Sequence, residues 1–232
     1  MTHNINLPDA AAEAENQRFI VKVYGWMSLA LIVTGMTAIW VASNEFATDL
    51  LLASKYVFIG LLLLEFILVA GLTGWIRKMS PEIATFIFLA YSWLNGVTLS
   101  VIFLTYTTDS IADTFFITAG TFAVMSLIGY VTKTDLTSLG NLLLMALIGL
   151  IIATAINFFF RNETFYWITT FAGILIFTGL IAYDTQKIKK MNIIGNEGTD
   201  EDRKEAIIGA LALYLDFINL FLQLLRLFGR RK

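Results

Sequence analysis

The stretch ALALYLDFINLFLQLLRLF, residues 210–228, is apolar almost throughout, yet Asp216 stands near its middle. A run of this length reads as a membrane-spanning helix, because a hydrocarbon core about 30 Å thick takes about 20 residues at about 1.5 Å each. An ionised carboxylate at that depth costs about 2.5–3.5 kcal/mol on insertion scales, so Asp216 requires a partner or a task.

The rest of the chain supplies the setting. Of 232 residues, 57% are hydrophobic and 15% charged, too apolar a balance for one soluble domain. Further spans are expected at 19–42, 57–76, 83–106, 111–131, 141–160 and 165–184, with the last at 206–228. The first is too long and too late for a cleaved signal peptide, and no small-residue cleavage site follows it. The expected organisation is an all-α integral membrane protein: a polar lead over 1–18, then one seven-helix domain over 19–232. With no cysteine, disulfides, zinc–thiolate sites and thiol catalysis are excluded. The single histidine, His3, lies in the polar lead, so proton sensing within the spans falls to carboxylates. A net charge of −2 argues against nucleic acid as a partner.

Lysine and arginine in short loops set orientation. Arg18, Lys22, Arg77, Lys78, Lys133 and the basic residues of 187–204 all fall on one side, which reads as cytoplasmic, with the N-terminus inside. The basic tail, 230–232, disagrees: after seven full spans it ends outside, unless the last segment is re-entrant.

Along the last span Gly209, Ala212, Asp216, Asn219, Gln223, Arg226 and Arg230 recur at alternating steps of three and four, which places them on one helical face. Such a seam faces protein or water. It is either a packing seam with a buried hydrogen-bond network or the wall of a polar pathway lined by Asn219 and Gln223. Asp184, in GLIAYDTQKIKK, closes the sixth span and Arg77, in GLTGWIRKM, the second, so both reach the cytoplasmic side at similar depth. Arg77 also fits an ordinary interfacial anchor that snorkels to headgroups. Glu65 lies twelve residues before Arg77, roughly 18 Å toward the other side, and Arg226 lies ten beyond Asp216, roughly 15 Å the same way. Two levels of opposite charge result, Arg77 with Asp184 and Asp216, and Glu65 with Arg226. Two carboxylates held close in a low dielectric share one proton and titrate together. Carboxylates, carbonyls and water also suit a hard cation such as Ca²⁺, so Asp184 and Asp216 are candidate transient calcium contacts. No P-loop or other nucleotide motif accompanies them, so any flux is passive.

AYDTQKIK (182–189) and LYLDFINLFLQLLRLFG (213–229) resemble the hallmark segments of the Bax inhibitor-1 family, and TFAVMSLIGYVTKTDL (121–136) resembles its bacterial YccA/YbhL-like branch. The resemblance implies seven helices with the C-terminal one surrounded by the other six, and a bacterial inner-membrane location. It also implies a pH-sensitive calcium leak with no resident cofactor. Asp184 and Asp216 then match the sensing aspartates, Arg77 their latch, and Glu65 and Arg226 a second gating pair. Some bacterial relatives are associated with a membrane-bound ATP-dependent protease, which makes residues 1–18 a candidate handle for such a partner and a regulator the alternative function. An intramembrane aspartyl protease shares the Tyr183–Asp184 dipeptide. It would need a Gly-x-Gly-Asp and a Pro-Ala-Leu segment, and the only prolines are Pro8 and Pro81. The chain is therefore read as a non-enzyme.

Overall fold

A computed structural model describes residues 9–232, so His3 and the start of the polar lead lie outside the described residues. Seven of its helices are long and apolar enough to cross a membrane, at the seven expected places. In chain order the elements are α1 (Asp9–Ala42), α2 (Glu45–Leu52), α3 (Lys55–Trp75) with a 3-10 turn (Ile76–Lys78), α4 (Pro81–Leu99) and α5 (Val101–Thr105). They continue with α6 (Thr108–Val131), α7 (Thr137–Phe160), α8 (Glu163–Met191) and α9 (Asp200–Phe228). Among the described residues there is no strand, only an isolated bridge between Tyr106 and Arg231.

The polar residues between spans act as caps for amides that a helix start leaves without intrahelical partners. Asn44 accepts from Ala47 N at 3.0 Å, and Asn162 from Phe165 N at 2.9 Å. Ser80 caps α4 with Pro81 behind it, where a missing N–H costs nothing. Ser100 interrupts the third span: its hydroxyl bonds the Val97 carbonyl at 2.6 Å, between α4 and α5.

Two boundaries differ from the hydropathy reading, because the polar ends of the spans remain helical. α8 continues two turns past Asp184 to Met191, so this aspartate sits inside its helix and not at its end. Among the described residues α1 is helical from Asp9, so 9–18, read as a polar lead, continues into the first span as helix. There Glu15 accepts from Gly195 N at 2.8 Å, Arg18 forks onto Glu197 with two bonds of 2.8 Å, and Lys22 pairs with Asp202. The α8–α9 connection is thus clasped to α1.

The chain forms two compact units, Met1–Thr105 with Met191–Tyr214, and Tyr106–Lys190 with Leu215–Lys232. In the first, α4 packs against α1 and α3, and Phe88 and Tyr91 meet the ring of Tyr214 edge-on at 6.0 and 5.8 Å. In the second, Phe115 and Phe122 of α6 meet Phe217 at 5.4 and 5.5 Å. The second unit also fixes what the tail bonds to. α9 is continuous for 29 residues, and beyond it Thr107 N donates to the Arg230 carbonyl at 2.9 Å. The last segment is therefore one continuous helix long and apolar enough to cross a membrane, with its tail stitched to the start of α6.

Burial is uneven among the spans. Within the most apolar window, 72% of α9 residues are buried and none of α7. Among the described spans, the helix that carries Asp216, Asn219, Gln223 and Arg226 is thus the one with the largest buried share.

Candidate functional site

In the second unit, the carboxyls of Asp184 of α8 and Asp216 of α9 lie close enough to interact directly. Asp216 is 5% exposed, and no amide or hydroxyl donor reaches its buried Oδ2. A carboxylate only accepts, so a bond between two carboxyls requires a proton on one of them. Two carboxyls this close in a low dielectric tend to share a proton.

Small residues beside the pair fix its position. A methyl group on Gly129 would strike the backbone of Ala182, and one on Gly140 would strike the Tyr183 ring. α6 and α7 therefore touch α8 directly at the two residues before Asp184, while Phe217 anchors α9 one residue after Asp216. Just beyond, Gln186 ties the α6–α7 loop by accepting from Leu136 N at 2.9 Å and donating to the Thr134 carbonyl at 2.8 Å. Lys190 pairs with Asp135 at 3.0 Å. A hydrogen bond from the Thr137 hydroxyl, with Lys190 adding to it, pulls the Asp135 carboxyl down to about 2. Glu197, in the α8–α9 connection, is likewise held low by its bond from Arg18. A carboxyl lowered in this way contributes stability above the ordinary carboxylate range and loses it only as pH falls through its own folded value. Neither loop group changes charge near neutrality.

At the far end of this unit, Gln223 is buried with its side chain laid against Gly173 of α8. Arg226 donates to Gln223 Oε1 at 3.3 Å and stands 5.8 Å from the centre of the Tyr166 ring. Asn219 donates back to the Leu215 carbonyl of its own helix at 2.8 Å.

Glu65 and Arg77 belong to the first unit, so the expected pairs Glu65–Arg226 and Arg77 with the aspartates join residues of different units. Within its own unit Glu65 accepts from the Thr98 hydroxyl at 2.7 Å and from Asn95 Nδ2 at 3.3 Å. Asn95 Oδ1 in turn accepts from the Tyr214 hydroxyl at 3.1 Å, which lies 2.7 Å from the Thr34 hydroxyl. A continuous polar chain thus links α3, α4, α9 and α1. Arg77 is exposed and lines a cleft of about 560 Å³ with Glu201 and Glu205. Asn95, Thr98, Tyr214 and Thr34 were not singled out in the sequence, although Asn95 and Thr98 lie three apart in an apolar span and so share a face. Replacing Tyr214 with Phe removes the hydroxyl that joins Asn95 to Thr34 and leaves buried partners unmet. Thermal unfolding in detergent should register a loss of about 1–3 kcal/mol.

Two carboxylates meet at the Asp184–Asp216 pair. Among the described residues no group of three or more histidine, aspartate or glutamate side chains forms a metal cluster.

A family model described as inhibitor of apoptosis-promoting Bax1 matches residues 16–232. The chain is 47% identical over 217 residues to the inner membrane protein YbhL of Escherichia coli strain K12, covering 93% of each chain. It is 44% identical over 217 residues to a protein of Rickettsia prowazekii, covering 93% of this chain and 91% of that one. A membrane protein of Streptococcus pyogenes serotype M6 is 36% identical over 215 residues, covering 92% and 93%.

Proposed function

The chain belongs to the Bax inhibitor-1 family, and from that premise we propose that it is a pH-sensitive, calcium-permeable leak pathway sensed by Asp184 and Asp216. It is a multi-pass inner-membrane protein, and the calcium and proton chemistry is what the proposal adds. The observation that carries it is the carboxyl pair, with Asp216 buried and Asp184 half-buried. A shared proton and a passing cation compete for the same oxygens, so occupancy by one depends on the concentration of the other. Two carboxylates are few for a resident calcium ion, which takes 6–8 oxygen ligands, and they suit a transient contact on a pathway. Gln223 and Asn219 continue the polar face beyond the pair. Arg77 acts as the closing arginine by its motif, and Glu65 with Arg226 as the second gating pair by theirs.

The test is calcium entry into dye-loaded liposomes that hold the purified protein, measured without ATP at several pH values. Entry should exceed that of empty liposomes and vary with pH. Equal entry in both overturns the leak and promotes the alternative, a regulator of a membrane-bound protease acting through residues 1–18. Within that segment Glu15 and Arg18 are engaged by Gly195 and Glu197.

A further inference from the structure

The basic tail that disagrees with the loop-charge rule has a structural counterpart. Arg161, Arg226 and Arg231 line one cleft of about 880 Å³ in the second unit, where α7 and α9 end and α8 begins. None of the three forms an ion pair among the described residues, although Glu163 shares the wall. Helix C-termini favour cations, which accounts for a positive charge at the ends of α7 and α9. It does not account for the backbone of Arg161.

Arg161 has φ 50° and ψ 40°, and it is the one non-glycine residue with positive φ among the described residues. The two-residue turn from α7 to α8 requires this conformation. Arg161 N bonds the Asn157 carbonyl at 2.8 Å, and Asn162 N bonds Asn157 Oδ1 at 2.9 Å. Glycine, or asparagine, is the residue that ordinarily closes a helix this way without strain. An arginine held there against its backbone preference points to use of its guanidinium.

The aromatic residues around the cleft suggest the ligand. Phe158, Phe159 and Phe160 are 76%, 80% and 79% exposed, and Trp167 lies on the opposite side of the turn. Aromatic side chains gather where acyl chains meet headgroups. Phe158 and Trp167 are also walls of the cleft, so its lining continues onto the exposed aromatic surface. Guanidiniums fork onto phosphate oxygens with paired hydrogen bonds. A space of about 880 Å³ is far larger than a free phosphate ion requires. We propose that this cleft binds the phosphodiester headgroup of an anionic phospholipid, with its acyl chains along the Phe158–Trp167 wall.

The probe is phosphatidylglycerol, offered beside phosphatidylcholine to the purified full-length protein, with retained lipid counted by native mass spectrometry. The wild type should retain phosphatidylglycerol in preference. Arg161→Gln with Arg231→Gln should lower that preference by about tenfold or more, the size expected on losing charge-assisted bonds. Both side chains are exposed, so the fold does not depend on them. Arg161→Gly serves as the second variant. It suits the turn, so its thermal midpoint should hold or rise while the lipid preference falls. Equal retention of the two lipids, or a preference unchanged in either variant, overturns the proposal. Stabilisation by inorganic phosphate in phosphatidylcholine nanodiscs, without a phosphatidylglycerol preference, also overturns it in favour of a soluble anion. The readout is independent of calcium flux, so failure of one leaves the other standing.

Discussion

Asp216→Asn and Asp184→Asn should each flatten the pH dependence of calcium entry between about pH 5 and pH 8, the window in which an isolated carboxylate, lysine or arginine does not ordinarily titrate. The carboxyl pair bonds only while it holds a proton. An asparagine amide donates at every pH, so the contact between α8 and α9 persists while its switching is lost. The remaining aspartate also loses the partner whose charge couples the two titrations. Most of the pH-dependent change in flux should vanish in either variant, with the seven-helix fold retained. The loop carboxyls do not supply the response in its place: Asp135 is held at about 2 and Glu197 is held low, so both stay ionised throughout that window. Histidine is the side chain with an ordinary value inside the window, and His3→Ala should leave the response intact. If both asparagine variants keep the wild-type midpoint and slope, Asp216 is only a structural polar residue.

Gly129→Ala should be among the most damaging of the small substitutions. The added methyl meets the backbone of Ala182, which has no rotamer to yield, so α6 and α8 must separate. Overpacking of this kind costs about 1–3 kcal/mol. The displacement falls two residues from Asp184, so flux should suffer with stability. Gly120→Ala, on the same helix but with nothing within 4 Å of the new atom, is the matched control. It should be neutral or slightly stabilising, since alanine favours helix over glycine by about 0.8–1.0 kcal/mol. Equal thermal midpoints for the two variants would show that α6 and α8 do not approach as closely as described.

The spans were legible in the sequence because hydropathy over twenty residues is a strong signal, and the period of the last span marked Asp216 and Gln223 as one face. The end of α8 was placed too early because QKIKKM reads as polar loop while it extends the helix by two turns. α2 went unnoticed because eight residues are too few to register as a span. The surroundings of Glu65 were hidden for a different reason. Thr98, Asn95 and Thr34 are neutral, so nothing in a charge or hydropathy scan distinguishes them from packing residues until a fold brings them to one carboxylate. Gly129 and Gly140 were invisible in the same way, since what their missing side chains make room for is decided by Ala182 and Tyr183, dozens of residues away.

The place of α9 in chain order bears on how the protein is made. It is the last described helix to leave the ribosome, yet its residues up to Tyr214 belong to one unit and those from Leu215 to the other. Until it inserts, Asn95 and Thr34 lack the hydroxyl of Tyr214, and Asp184 lacks its partner carboxyl. The eight helices ahead of it must wait in the membrane with polar groups unsatisfied. Nascent chains stalled before residue 200 should therefore be marked prey for membrane quality control, and insertion of α9 should be the step that releases them.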